Sequence, residues 1–387
     1  MDKIERTRAV LDGRIPDRVP VFCAGIEDRT YNEVLGKPLI PPKYLLINPV
    51  TGFIFNRWGP ELTRKLVQPS ITAGMEKRVR AAAELGFDAT WALYDETFTV
   101  TGANTMARYS GSLYDIVDDG FGNATYMYRE PGITTRDDFE SWPFWPDIDD
   151  LAHRTYKFYR KIVKKYGDRI FLFGQGPAYG IQESLLWAIG FERMTLWIRR
   201  EADLVKRYIE MSEEICLKCA IAMMDAGISA VLQTDDFAFK SGPLMNPKMI
   251  DEVFGPSYKR IIETVKNRDG KYILHSCGDN TLLFDTFINW GVDGFHAYEN
   301  TSNVDIYSQK KLHGDRAVMI GGVDIDYTLT DQASDMDIEN AVKDLMDGLA
   351  PGGRYIIGPA HSLASIPAHN LRVMIEAAHT HGAYTDA

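Results

Sequence analysis

Eight short apolar runs constrain this chain more than any other feature: Val19–Cys23, Ala89–Tyr94, Ile170–Phe173, Ala230–Gln233, Tyr272–Leu274, Gly294–His296, Ala317–Ile320 and Arg354–Ile357. From about residue 150 they alternate with segments of helical period at about 179–192, 200–226, 247–267, 281–290, 304–312, 335–348 and 367–380. Helix boundaries are written into places such as Asn246-Pro247, a start signal, and Gly227, a stop signal after Ala226. Eight strands each followed by helix predict an α/β fold of the (β/α)8 TIM-barrel type. A doubly wound sheet is the structural alternative, but no Gly-x-Gly-x-x-Gly follows the first strand.

Two regions fit the repeat poorly. Residues 25–85 and 100–150 scatter glycine, proline and tryptophan, as in Asn56-Arg57-Trp58-Gly59-Pro60 and Trp142-Pro143-Phe144-Trp145-Pro146. They are expected to form an N-terminal elaboration and a long loop over the barrel mouth, within one domain spanning residues 1–387.

Composition narrows the partners. A hydrophobic share of 45% supports a sizeable core, and a net charge of −11 with no basic stripe argues against a nucleic-acid groove. No apolar run approaches the roughly 18 residues that cross a bilayer. The opening Met-Asp-Lys-Ile-Glu-Arg-Thr-Arg lacks a signal peptide's apolar stretch, so a cytoplasmic protein with small-molecule or protein partners is expected. Four cysteines (Cys23, Cys216, Cys219, Cys277) do not make a disulfide framework. Cys216 and Cys219 lie inside a helical apolar pattern and are expected in the core.

In a barrel enzyme the site forms at the carboxyl ends of the strands. The polar residues there are Asp95, Glu96, Gln175, Asp235, Asp236, His275, Cys277, His296, Glu299, Asp324 and His361. Within them His275-Ser276-Cys277 stands out: residues spaced i, i+2 in an extended segment share a face, and imidazole with thiolate suits zinc. Taken alone, the triplet also fits a strand end with one hydrogen-bonded histidine and an inert thiol. Two histidines, a cysteine and carboxylates at one mouth meet the ligand count of a catalytic zinc, which takes three protein ligands and leaves one position open.

The residues also match a known family. Arg14-Ile15-Pro16-Asp17-Arg18-Val19-Pro20-Val21-Phe22, Thr234-Asp235-Asp236, His275-Ser276-Cys277-Gly278, Ile320-Gly321-Gly322-Val323-Asp324 and Gly358-Pro359-Ala360-His361-Ser362 resemble motifs of the uroporphyrinogen decarboxylase superfamily. The resemblance is to its branch of zinc-dependent methyltransferases that work with corrinoid proteins. It implies a zinc held by His275, Cys277 and His361; the strand-end carboxylates Asp235, Asp236 and Glu299 are the candidate catalytic residues. His361 stands where coenzyme M methyltransferases of this branch carry cysteine, so Asp236 and Glu299 remain alternatives for the third ligand. In the tetrapyrrole decarboxylases an N-terminal loop carries arginines, whereas here it reads Phe22-Cys23-Ala24-Gly25-Ile26-Glu27-Asp28-Arg29. The chain contains no Asp-x-His-x-x-Gly corrinoid motif, so cobalamin is expected on a separate corrinoid protein. The aromatic residues Trp58, Trp91, Tyr94, Phe98, Trp142, Phe144 and Trp145 are candidates for walling an aromatic ring.

Overall fold

The computed structural model describes residues 1–25, 27–36, 49–95, 97–102, 104–118, 124–176, 180–299, 301–361 and 366–384. Eight parallel strands form one sheet in the order β1 (Phe22–Cys23), β2 (Ala89–Leu93), β7 (Phe171–Gln175), β8 (Ala230–Thr234), β11 (Lys271–His275), β12 (Gly294–His296), β13 (Val318–Val323) and β14 (Tyr355–Pro359). The sheet closes on itself where Val21 bridges Ile357 and Ile357 N donates to Pro20 O at 3.0 Å. Gly358 permits that seam: a Cβ there would lie 2.3 Å from Phe22 O. The fold is therefore the expected (β/α)8 barrel, with each strand close to its expected place.

Alternation along the strands sorts the side chains into two cores. Phe22, Ala89, Phe171, Phe173, Ala230, Leu232, Ile273, Val318, Ile320 and Ile356 fill the barrel interior. Val10 and Leu11 of the helix Lys3–Leu11 close its lower end. Full burial of each Val, Leu, Ile or Phe contributes roughly 1.5–3 kcal/mol. Beneath the strands Asp88, fully buried, accepts Arg6 Nη1 at 2.8 Å, Arg18 Nη1 at 2.7 Å and Val21 N at 2.9 Å, which ties the first helix and β1 to β2. The outward-facing residues pack against the helices in a second, larger cluster.

The segment expected as a long loop is instead ordered into a four-stranded antiparallel sheet of β3 (Phe98–Val100), β4 (Thr105–Arg108), β5 (Ser112–Asp118) and β6 (Ala124–Pro131). Its own small core is Met106, Tyr114 and Ile116, carried by the alternating burial of β5. The sheet packs on the helix Gln182–Ile189, with Tyr128 4.6 Å from Trp187 between ring centroids. Two further strands, β9 (Ala238–Phe239) and β10 (Gly242–Pro243), form a short hairpin after β8. The N-terminal elaboration contains the helices Asp28–Leu35 and Pro49–Leu85. No helix among the described residues is long and apolar enough to cross a membrane.

Candidate metal centre

The upper layer of the barrel interior is polar where the layers below are apolar. His275 follows the inward-facing Ile273 by two residues, and Trp91, Gln175 and Thr234 hold the same place on β2, β7 and β8. Past this layer the strand ends turn into loops. There Cys277 Sγ lies 3.3 Å from His275 Nε2 and 2.8 Å from His361 Nε2. The three donor atoms all lie within 4.8 Å of one another, and no other such group of His, Cys, Asp and Glu occurs among the described residues. Donors on one tetrahedral zinc are about 3.5 Å apart, given Zn–S of about 2.3 Å and Zn–N of about 2.0–2.1 Å. Two imidazoles with one thiol, gathered at this spacing, fit a zinc ion.

The loop that presents Cys277 is held from several sides. Asn280 Nδ2 donates to the carbonyls of Ser276 (3.0 Å), Cys277 (3.0 Å) and Gly278 (3.3 Å), and Ser276 Oγ accepts Phe237 N at 3.0 Å. Gly278 has φ of +81°, and a Cβ on it would meet Ala238 O at 2.5 Å. Only glycine lets the turn lie against the 238–239 backbone.

Carboxylates ring this loop. Asp236 Oδ1 accepts Cys277 N at 2.8 Å; Glu299 Oε2 accepts Gly278 N at 3.2 Å, and its Oε1 lies 3.7 Å from His361 Nε2. Glu183, which no sequence motif singles out, adds a third, its Oε1 accepting Trp187 Nε1 at 3.0 Å. Burial pushes the Cys277 thiol well above its usual range, and Asp236, Glu299 and Glu183 push it further. Burial also raises the carboxyls of Asp236 and Glu183, and their mutual repulsion raises Glu183 further. Such a set of groups, each resisting negative charge, is relieved by a bound cation.

The structure separates the remaining rim residues by use. Asp235 is fully buried and caps the helix Gln182–Ile189, accepting Ile181 N (3.0 Å), Gln182 N (2.9 Å) and Glu183 N (2.6 Å), along with Tyr258 OH. Burial pushes its carboxyl up to about 7 against those hydrogen bonds. Asp95 pairs with Arg108 of β4 at 2.9 Å and thereby anchors the antiparallel sheet to the end of β2. Asp324 accepts Tyr327 N at 2.6 Å within its own turn. Gln175 donates to Thr234 Oγ1 at 2.9 Å, and His296 contacts His275 at 2.6 Å. Glu96 and Ser362 lie outside the described residues.

Of the aromatic candidates, Trp91 reaches the cluster, tilted 5.2 Å from the His275 ring. Tyr94 instead stacks on Phe158 in the outer core at 4.8 Å, and Trp145 packs on Phe139 at 5.4 Å. Trp142 donates to Tyr109 O at 3.1 Å and Trp58 is exposed. Trp91 Nε1 and Gln175 Oε1 are buried without a hydrogen-bond partner among the described residues.

The fold is thus a parallel (β/α)8 barrel that gathers a His, Cys, His cluster, with acids beside it, at the carboxyl ends of its strands. The sequence model of the uroporphyrinogen decarboxylase (URO-D) family matches residues 123–381, and the chain belongs to that family. Two sequences of the methylcobamide:CoM methyltransferase MtaA of Methanosarcina barkeri, one from strain Fusaro / DSM 804, are each 24% identical over 182 residues. That match covers 47% of this chain, and the chain spans about half the length of these curated relatives, 50%. A methyltransferase from Methanosarcina mazei superposes with a TM-score of 0.69 at 18% identity, over 98% of this chain and 99% of that one, which shows the shared fold.

Proposed function

We propose that this chain is a zinc-dependent methyltransferase that moves a methyl group from a small, aromatic methyl ether to cob(I)alamin carried by a separate corrinoid protein. The observation that carries the reading is the convergence of His275 Nε2, Cys277 Sγ and His361 Nε2 at the barrel mouth. Zinc bound there would act as a Lewis acid on the ether oxygen, so that the oxygen leaves as a stabilised phenolate. Two neutral imidazoles and one thiolate leave about +1 on a zinc site, more electrophilic than a set with two thiolates.

The chain's own residues do the positioning. Asp236 fixes the Cys277 backbone, and Glu299 stands beside both Gly278 and His361, where its carboxylate can balance the charge of the site. Asp235 acts at one remove, by holding the helix that carries Glu183. Trp91 Nε1 and Gln175 Oε1 offer a donor and an acceptor to polar atoms of the methyl donor at the floor of the mouth.

A second reading, transfer from methylcobamide to a thiol, is favoured by the likeness to methylcobamide:CoM methyltransferases. The decarboxylase reading is weaker: Arg29, the one basic residue of the 22–29 stretch, is bound to Asp331 at 2.6 Å and to Glu33 at 3.1 Å. An anaerobic assay separates the three. The protein is offered cob(I)alamin with a panel of methoxyaromatics, methylcobalamin with coenzyme M, and uroporphyrinogen. Methylcobalamin formed from an ether supports the proposal; turnover of coenzyme M or the tetrapyrrole alone refutes it.

A further inference from the structure

His275 and His296 end adjacent strands, β11 and β12, directly opposite one another in register. Both are buried, at 4% and 1% exposure, with rings stacked at 4.8 Å and 29°. Their Nδ1 atoms are 2.6 Å apart, and on its far side His296 Nε2 lies 3.3 Å from Pro359 O. We propose that His296 is a positioning residue: it fixes the proton of His275 on Nδ1 and so makes Nε2 the atom presented to the metal. This rests on the zinc reading above, and it adds a residue that the metal would never touch.

The protons can be placed one at a time. A carbonyl oxygen only accepts, so the contact with Pro359 O puts a proton on His296 Nε2. Trp91 and Phe22 wall the His296 ring at centroid distances of 6.2 Å and 5.2 Å, and no acidic side chain among the described residues pairs with it. An imidazolium there would be a buried charge without a counter-ion, so His296 is neutral and its Nδ1 is a bare lone pair. Two bare lone pairs would repel at 2.6 Å, as would two N–H groups. The single proton between the rings therefore belongs to His275 Nδ1. Its remaining nitrogen, Nε2, carries the lone pair and turns it toward Cys277 Sγ at 3.3 Å.

A ligating histidine usually donates its other N–H to a carboxylate, carbonyl or water, and loss of that partner lowers metal affinity by about 10- to 100-fold. Here a second histidine takes the partner's place, with a backbone carbonyl behind it. That carbonyl belongs to Pro359, two residues before His361. The chain of hydrogen bonds thus runs from one proposed ligand, through His296, to the strand that carries another. Trp91 packs on both rings and keeps water from competing for the shared proton.

Two measurements test this. In metal-free protein labelled with 15N-histidine, with His275 assigned by the signals missing from His275→Gln, nitrogen–proton correlation should show His275 protonated at Nδ1. Zinc affinity, measured by competition with a chelator, should fall about tenfold or more in His296→Leu, which has no acceptor. Most of it should return in His296→Gln, whose amide supplies one acceptor and one donor. Protonation of His275 at Nε2 in the wild-type protein overturns the proposal, as does unchanged zinc affinity in a folded His296→Leu. Should the wild-type protein bind no zinc, the zinc reading fails by itself, and the tautomer of His275 still decides this one. Should His296→Leu not fold, the wild-type spectrum and His296→Gln decide it.

Discussion

Cys277 Sγ lies 2.8 Å from His361 Nε2 although 84 residues separate them in the chain. The barrel closes that distance: β12 and β13 stand between the two strands, and the curvature of the sheet turns both loops toward the axis. If zinc is what they hold, the purified protein contains about one zinc per chain by elemental analysis. His361→Ala then binds it at least about tenfold more weakly with its fold intact. Unchanged affinity in His361→Ala would move the third ligand to Glu299 or Asp236.

Acid should weaken what the two buried histidines contribute to the fold. Burial holds His296 at about 3 and His275 well below the usual histidine value. Both titrate near 6.5 in an unfolded chain, so between about pH 6.5 and pH 3 the unfolded state binds more protons than the folded one. The histidines' share of the stability therefore falls as pH drops through that window, by on the order of 5 kcal/mol from His296 alone at its acid end. The raised carboxyls of Asp235, Asp236 and Glu183 act in the opposite sense. The stability of the metal-free wild-type protein relative to His296→Leu, read from urea unfolding at pH 7.5, 6 and 5, should shrink in that order. A constant difference would mean that the His296 ring is not held neutral in the folded protein.

At the opposite end of the barrel, Asp88→Ala leaves Arg6 and Arg18 without their buried acceptor. Breaking a buried ion pair from one side costs about 3–5 kcal/mol. Urea unfolding should show a loss of that order, and a loss below about 1 kcal/mol would mean that other contacts hold the first helix.

Gly278→Ala forces a Cβ toward Ala238 O at a φ of +81°. It should lose about 1–3 kcal/mol of stability and displace Cys277, weakening zinc binding. Gly86 also has positive φ, +104°, but no atom lies within 4 Å of where its Cβ would stand. Gly86→Ala should thus carry the backbone strain without the loss of zinc, and equal zinc losses in the two variants would contradict the close-packed turn.

Much of this architecture is legible in the residues themselves. The barrel strands are short continuous apolar runs because both their faces are buried, and the pair His275 and Cys277 is visible because two-residue spacing keeps one face. The antiparallel sheet is less so. Its alternation is confined to short strands such as Ser112–Asp118, interrupted by glycine and surrounded by irregular sequence. The helix Pro49–Leu85 runs through Pro60 and Pro69, residues whose local preference opposes helix. His313, at the end of a helix, is buried beside Phe284, which its neighbours in sequence do not foretell. Asp235 and Asp236 look alike in sequence. One caps a distant helix and the other holds the Cys277 backbone, a division set by partners more than 40 residues away. Glu183 shows the converse: on a helix it is an ordinary polar residue until the fold brings it beside Asp236.

The most direct test of the central claim compares zinc-loaded and zinc-stripped protein, under anaerobic conditions, for formation of methylcobalamin from cob(I)alamin and a methoxyaromatic. Turnover is expected with zinc and should drop by several orders of magnitude without it, because a phenolate leaving group then lacks several kcal/mol of stabilisation. Restoring zinc should restore the rate, and raising the pH through the thiol range should not increase it. Equal rates with and without zinc, or methylation of a thiol with no ether consumed, would contradict the claim.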